Sequence, residues 1–337
     1  MRTDKEKYDL KGPVQNMLIE TPEFEARDGQ MVEKPSFSYS YTFNSDGQLV
    51  EQSHRNPDGS EWRAVSDYST SGNLLATRNF DHTGTLHSEV RYIYDVDDRL
   101  VAEQHVTPDG GVTTSATYAY DDAGGKVKTQ ELDSQENTNM MIGIEGTSTI
   151  INATGAKRVE SRYDRGEVIE VRVFNIDGAL VSKVEITRDA RGNPLEETQY
   201  IGDVFSFGPC ASDSCSTEEM AALSEEQKAE VAQLFAAGTV MSKNTHSYDP
   251  EGRLIESKLT MMGTEVSRQT FAYDEHGNKS EEVSYNMGTP AGKALFTREY
   301  DRYGNWTREL LSTASTWDAE FDLCTPSRVT RRLITYW

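Results

Sequence analysis

Residues 91–132, RYIYDVDDRLVAEQHVTPDGGVTTSATYAYDDAGGKVKTQEL, state one pattern twice. The pair Tyr92 and Tyr94 leads into a turn at 95–98, an apolar pair, Leu100 and Val101, and a second turn at 107–110. Tyr118 and Tyr120 then repeat the pair, followed by a turn at 121–124. A period of roughly 26 residues, in arms of about 12 and 14, is the signature of a repeat architecture. Within each arm every second side chain falls on the same face of a strand. A chain written this way must fold as strands joined by tight turns, each copy burying its face against its neighbours.

Turns of the form Asp/Asn/Ser/Thr-x-x-Gly recur at 44–47, 56–59, 69–72, 81–84, 107–110, 121–124, 175–178, 189–192, 249–252, 260–263, 274–277 and 301–304. A short side chain at the first position bonds its own backbone, proline suits the second, and glycine suits the last. Pro57, Pro108 and Pro250 stand at that second position. The pattern predicts a type I turn closed by a left-handed glycine, with a hairpin bulge. Asp98 replaces the glycine at one turn, and aspartate tolerates left-handed geometry better than most residues. A turn at 164–166 is one residue short, and a longer one is expected at 286–292. In the arm 168–174, Ile169, Val171 and Val173 share a face.

Where the register fails, the organisation shows. Residues 1–34 form a lead-in, with a strand expected from Val14. The array occupies 35–201, beginning with Tyr39, Tyr41 and Phe43 on one face. An irregular excursion at 133–156 interrupts it, with a short strand expected near 147–151. An insertion at 202–240 carries Cys210 and Cys215 and then turns helical near 216–238: two capping boxes, an apolar face including Met220, Leu223, Val231 and Leu234, and Gly238 as the stop. A helix packed over a sheet end and a partner-binding helix are the two readings. The array resumes over 241–337 and closes on a strand at 328–337. The fold class is all-β: a long antiparallel meander of about 16 strands, forming a curled or spiralling sheet.

The recurring Tyr-x-Tyr-Asp-x-x-Gly-x-Leu core resembles the YD repeat of the rearrangement-hotspot (RHS) family. Tyr92, Tyr94, Asp95 and Leu100 carry the match, as do Tyr118, Tyr120, Asp121 and Gly124. So do Tyr248, Asp249, Gly252 and Leu254; Phe271, Tyr273, Asp274 and Gly277; and Tyr300, Asp301 and Gly304. The start DLKGPV and the ending YDRYGNWTREL with RRLITYW look like the ends of short bacterial YD-repeat proteins. The resemblance implies a strip of hairpins like the shells of large RHS toxins and teneurin-like surface proteins. This chain has fewer strands than those shells and no C-terminal toxin module, so enclosing a cargo is not expected.

Composition narrows the function. A formal charge of −22, with no cluster of Lys and Arg, argues against nucleic acid and anionic membrane surfaces. No run of 18 apolar residues predicts a membrane-spanning helix. The N-terminus, MRTDKEKYDLKGP, has no apolar core of the signal-peptide kind. The expected location is extracellular, periplasmic or at the cell surface, with a cytoplasmic location as the alternative. A Cys210–Cys215 disulfide would fit an oxidising compartment; three unpaired small cysteines are the competing reading, with Cys324 the third.

No catalytic, cofactor-binding or metal motif is recognised. The acidic turns each offer one or two carboxylates, short of the converging oxygens that calcium needs. Asp95, Asp97 and Asp98 form the densest such cluster and are the sole metal candidates. His54 and His105 occupy similar places before proline-containing turns, which repetition explains without catalysis. Tyrosines at equivalent positions are expected to form cross-strand ladders, and an exposed ladder suits sugar rings. The leading expectation is a non-enzymatic, secreted or surface-associated protein presenting a curved β-surface to a protein or carbohydrate ligand. The alternatives are a chaperone or immunity partner of a secreted toxin, and a polysaccharide hydrolase or lyase working in a sheet groove.

Overall fold

The computed structural model describes residues 3–27, 30–34, 36–122, 124–132, 139–143, 150–154, 156–203, 236–315 and 325–337. A one-turn helix, α1 (Asp4–Lys7), precedes strands β1 (Val14–Glu20), β2 (Glu23–Arg27), β3 (Gln30–Lys34), β4 (Ser38–Phe43), β5 (Leu49–Arg55) and β6 (Glu61–Tyr68). There follow β7 (Leu74–Phe80), β8 (Leu86–Tyr94), β9 (Leu100–Val106), β10 (Val112–Tyr120), β11 (Lys126–Glu131), β12 (Asn139–Gly143) and β13 (Ile150–Thr154). The next are β14 (Ala156–Asp164), β15 (Glu167–Asn175), β16 (Leu180–Arg188), β17 (Pro194–Ile201), β18 (Val240–Tyr248) and β19 (Leu254–Met261). The last are β20 (Thr264–Tyr273), β21 (Lys279–Asn286), β22 (Thr289–Tyr300), β23 (Trp306–Ser315) and β24 (Thr325–Tyr336).

Twenty of these strands belong to one sheet. Sequence neighbours pair with each other, as a meander requires. The chain's first strand then does what no local pattern announces: β1 pairs with β24 on one side and β4 on the other, both antiparallel. Followed from β4 through β9 and β10 to β24 and back to β1, the pairing returns to its start, rather than ending in the two edges of an open curled or spiralling strip. Closure removes the exposed edge groups that make open sheets prone to pair with other chains. The sheet also holds more strands than the expected sixteen or so.

The remaining strands form two separate hairpins. One, β2–β3, falls within the lead-in. The other, β12–β13, is the excursion, whose second strand runs Ile150–Thr154 and whose backbone comes close to β16. Cys210, Cys215, Cys324 and nearly all of the expected helix at 216–238 lie outside the described residues.

The turns show why the motif recurs. At 249–252 the Asp249 carboxylate accepts the Arg253 N–H at 2.8 Å, and Gly252 N–H donates to the Asp249 carbonyl at 2.9 Å. Asp81, Asp95, Asp189, Asp274 and Asp301 likewise accept from the second and fourth residues after them. The closing residue is left-handed, with φ of 84° at Gly124, 85° at Gly252, 84° at Gly277, 81° at Gly304 and 59° at Asp98. Register slips by one at Tyr94, Tyr248 and Tyr300, the bulge of each hairpin. Three turns are tighter than the rest. Arg165–Gly166, Met262–Gly263 and Met287–Gly288 have positive φ at both residues, the geometry of a two-residue type I′ turn. The loop expected at 286–292 is therefore mostly strand.

Two compact units divide the described chain. Unit 1 comprises Met1–Thr114, Phe271–Ser284 and Pro290–Trp337; unit 2 comprises Ser115–Thr270 and Tyr285–Thr289. Unit 1 buries Leu10, Val14, Met17 and Phe43 together, with Tyr8, Tyr41 and Leu49 packed against them. Unit 2 buries Val159, Tyr163, Val168, Val171, Val173, Val184 and Ile186. β-branched residues dominate there because they fill a pleated face at little cost in rotamer freedom.

Candidate functional site

Strand register in unit 1 builds a row that no single repeat contains. Ile19 stands opposite Tyr39, Tyr39 opposite His54, and His54 opposite Trp62. The row therefore crosses β1, β4, β5 and β6 on one face. The Tyr39 and His54 rings are stacked, 4.8 Å apart and 9° from parallel. Phe37 also stacks on His54, at 5.6 Å. His82 and His87 approach the Trp62 ring at 6.1 and 6.0 Å.

These rings remain open to solvent: Phe37 is 47% exposed, Tyr39 43% and Trp62 41%. Further along the same strand face the side chains close over, with Phe43 and Met17 fully buried. Between the rings and that seal lies a cleft of about 340 Å³, lined by Tyr39, Tyr41, Gln52, Ser53, His54, Trp62, Arg63, Ala64, Asn79 and Phe80. Gln52 and Asn79 bring amides to it, and His54 Nε2 is buried without a hydrogen-bond partner. An aromatic floor with a few polar groups is the usual composition of a small-ligand site.

The opposite face of these strands is charged and self-compensated. Arg55 pairs with Glu61 at 3.0 Å, Arg63 with Glu51 at 3.6 Å, and Arg78 with both Asp67 and Glu89. Such half-exposed pairs contribute little to stability. They do, however, leave the cleft's surroundings near neutral in a chain of charge −22.

The repeat tyrosines have a different task. Equivalent residues do not stand side by side: Tyr92 faces Glu103, and Tyr118 faces Lys128. One repeat spans two strands, so its copies are roughly 10 Å apart with another strand between them. Several tyrosines that close a strand instead reach back to the preceding repeat. Tyr94 donates to the Leu74 carbonyl at 2.9 Å and Tyr248 to the Pro194 carbonyl at 2.8 Å, while Tyr300 donates to Asp274 and Tyr336 to Asp301. Burial, then the Asp274 carboxylate, pushes the Tyr300 hydroxyl up to about 12; burial and Asp301 do the same at Tyr336. Tyr120 and Tyr273 close β10 and β20 in the same position.

The acidic cluster is occupied by its own turn. Asp95 accepts the N–H groups of Asp97 and Arg99, and its other oxygen takes the Arg99 guanidinium, which lies 3.3 Å from Asp97. Asp98 accepts from Asn73. Those bonds hold the Asp95 carboxyl below the ordinary carboxylate range.

Sequence reasoning singled out none of Phe37, Trp62 or, in unit 2, the fully buried Glu197. Glu197 lies 3.1 Å from His246 Nε2 and accepts from Asn244 at 3.4 Å. The turns at 44–47 and 56–59 fix the pairing of β4, β5 and β6, so the Tyr39–His54–Trp62 alignment was derivable by counting back from them. Nothing comparable marks the Glu197 pair.

No family model and no curated protein matches the sequence. Solved structures that resemble this chain include a porin-like protein from Bacteroides uniformis, 10% identical, covering 96% of this chain and 98% of that one at a TM-score of 0.34. Another is the TcdB2–TccC3–Cdc42 complex, 12% identical over 95% of this chain and 17% of that one, with a TM-score of 0.27. A Photorhabdus luminescens Tc holotoxin pore matches at 11% identity over 86% of this chain and 19% of that one, with a TM-score of 0.18. This chain thus spans less than a fifth of either toxin chain. At these scores the likenesses say nothing of function, and the YD-repeat resemblance rests on the sequence motifs.

Proposed function

We propose that the protein is a non-enzymatic, secreted or surface-associated repeat protein that binds carbohydrate on the Tyr39–His54–Trp62 row. The observation that carries this reading is the row itself: exposed aromatic rings in direct cross-strand register, beside a cleft with amide side chains. Rings held this way offer large apolar faces at little entropic cost, and the C–H face of a pyranose is their natural complement. No carboxylate is among the described residues that line the cleft, which favours binding over glycoside hydrolysis, where two carboxyl groups must flank the bond.

No helix among the described residues is long and apolar enough to cross a membrane. The strands β5 to β8 carry charged pairs on one face and Gln52, His54, Asn79 and Ser88 on the other. The charged face is not the apolar band that lipid-facing strands require, and the other face mixes polar groups with its rings, which supports the reading of a water-exposed surface.

The test is a glycan array followed by calorimetry on the best hit. Trp62→Ala is expected to weaken binding by about 2 kcal/mol, the scale of a buried aromatic anchor. An empty array together with hydrolase activity in a broad substrate screen would reject the proposal.

A further inference from the structure

The aromatic row does not end at Ile19. Ile19 is flanked by Tyr39 on one side and by Arg332 of β24 on the other. Arg332 is thus in register with the rings, two strands or roughly 10 Å from Tyr39, and on their face. It is partly buried, with its guanidinium 3.6 Å from the centre of the Trp306 ring.

Its hydrogen bonding is what sets it apart. A guanidinium carries five N–H donors. Among the described residues none accepts a bond from Arg332, no carboxylate lies within ion-pair distance, and its Nε is buried without a partner. The nearest buried carboxylate, Glu309, is committed to Arg298 at 2.6 Å. Arg298 also donates to the Lys279 carbonyl and lies 4.0 Å from Asp274. Glu309 and Asp9 still act on Arg332 through space, but burial outweighs them and draws its pKa down to about 10. By contrast, Arg55, Arg63, Arg78 and Arg91 all pair with carboxylates.

We propose that Arg332 reads an oxyanion on the ligand, and that the ligand is an acidic glycan bearing a carboxylate or sulfate next to the sugar stacked on Tyr39. This rests on the carbohydrate reading of the row. A planar fork held over the Trp306 ring presents paired donors in the geometry that carboxylate and sulfate accept. The net charge of −22 repels long polyanions at a distance, so this one cation selects a single anionic group rather than a charged backbone.

The experiment is calorimetry on the full chain with three tetrasaccharides of equal length: one bearing glucuronate, one sulfated, one neutral. The wild-type protein should bind at least one acidic form about ten- to a hundredfold more tightly than the neutral one, the scale of a hydrogen bond to a charged group. The stronger of the two acidic ligands identifies the anion. Arg332→Met should bring acidic binding down to the neutral level and leave neutral binding unchanged, whereas Trp62→Ala should weaken all three. Equal wild-type affinity for acidic and neutral ligands, or an Arg332→Met variant that keeps the acidic preference, overturns the anion role and leaves the carbohydrate surface standing. Failure of all three to bind overturns both. A measurement independent of any variant is phenylglyoxal labelling of the wild-type protein. The acidic tetrasaccharide should protect Arg332 and the neutral one should not; equal protection overturns the proposal.

Discussion

Units 1 and 2 are made from the same hairpin and use its packed face in opposite ways. In unit 1 the face is sealed where Leu10, Val14, Met17 and Phe43 meet, and opens into the exposed rings of Tyr39 and Trp62. In unit 2 a cluster of valines passes directly into a buried polar file. There Gln199 donates to Ser182 at 3.1 Å, Ser242 donates to Gln199 at 3.1 Å, and Glu197 holds His246 and Asn244. Buried polar groups are tolerated only when bonded to one another, so that file is committed to architecture. The rings of unit 1 are not. One repeat can thus supply either a locked interior or a receptive surface, according to which residues occupy its inward positions.

The sharpest way to break this comparison is to empty the seal. Phe43→Ala should cost about 4 kcal/mol through lost transfer energy and the cavity left behind. The described tryptophans, Trp62, Trp306 and Trp337, belong to unit 1, so urea unfolding followed by tryptophan fluorescence reads the loss there. A change below about 1 kcal/mol would mean that this cluster collapses freely and does not hold the unit.

Glu197→Ala tests the other side. Removing one partner of a buried pair leaves the other uncompensated and should cost about 3 kcal/mol. The readout is faster amide hydrogen exchange across β16, β17 and β18. Unchanged protection would show the polar file to be incidental.

Alkaline pH should separate the units by a smaller margin. Tyr300 and Tyr336, both in unit 1, are raised to about 12 by burial and by Asp274 and Asp301. Tyr248 in unit 2 donates to a neutral carbonyl. A raised folded-state pKa keeps a proton that the unfolded chain releases near 10, so the stabilisation is full below about pH 10 and fades towards about pH 12. The melting temperature should fall across that window, and Tyr300→Phe should flatten the fall. An equally steep fall in the variant would place the titration elsewhere.

Local chemistry made much of the fold legible. Asp249 and Gly252 announce their turn because an acceptor side chain and a left-handed residue are needed at fixed offsets, and the same need recurs a dozen times. The tight Met262–Gly263 and Met287–Gly288 turns were less legible, because methionine is an unusual choice for a left-handed position. Closure was not legible at all: nothing in VQNMLIE says that it pairs with β24. The row was half legible. Two turns align Tyr39 with His54 and Trp62, yet Arg332 joins them only through closure. The tyrosine ladders failed for a geometric reason, since a two-strand repeat places its copies on alternate strands.

The insertion of β1 between β24 and β4 also bears on how the chain reaches this state. Asn16 bonds to Thr335 on one side and accepts from Thr42 on the other, contacts that span 319 and 26 residues of sequence. The shorter pairing needs only β1 and β4, whereas the longer one must wait for β24. Contacts of such separation slow folding because a long loop must close before anything is gained. A β1–β4 ribbon without β24 has one unpaired side, the kind of edge through which nascent chains associate. The arrival of β24 is therefore what gives that side of β1 its partner.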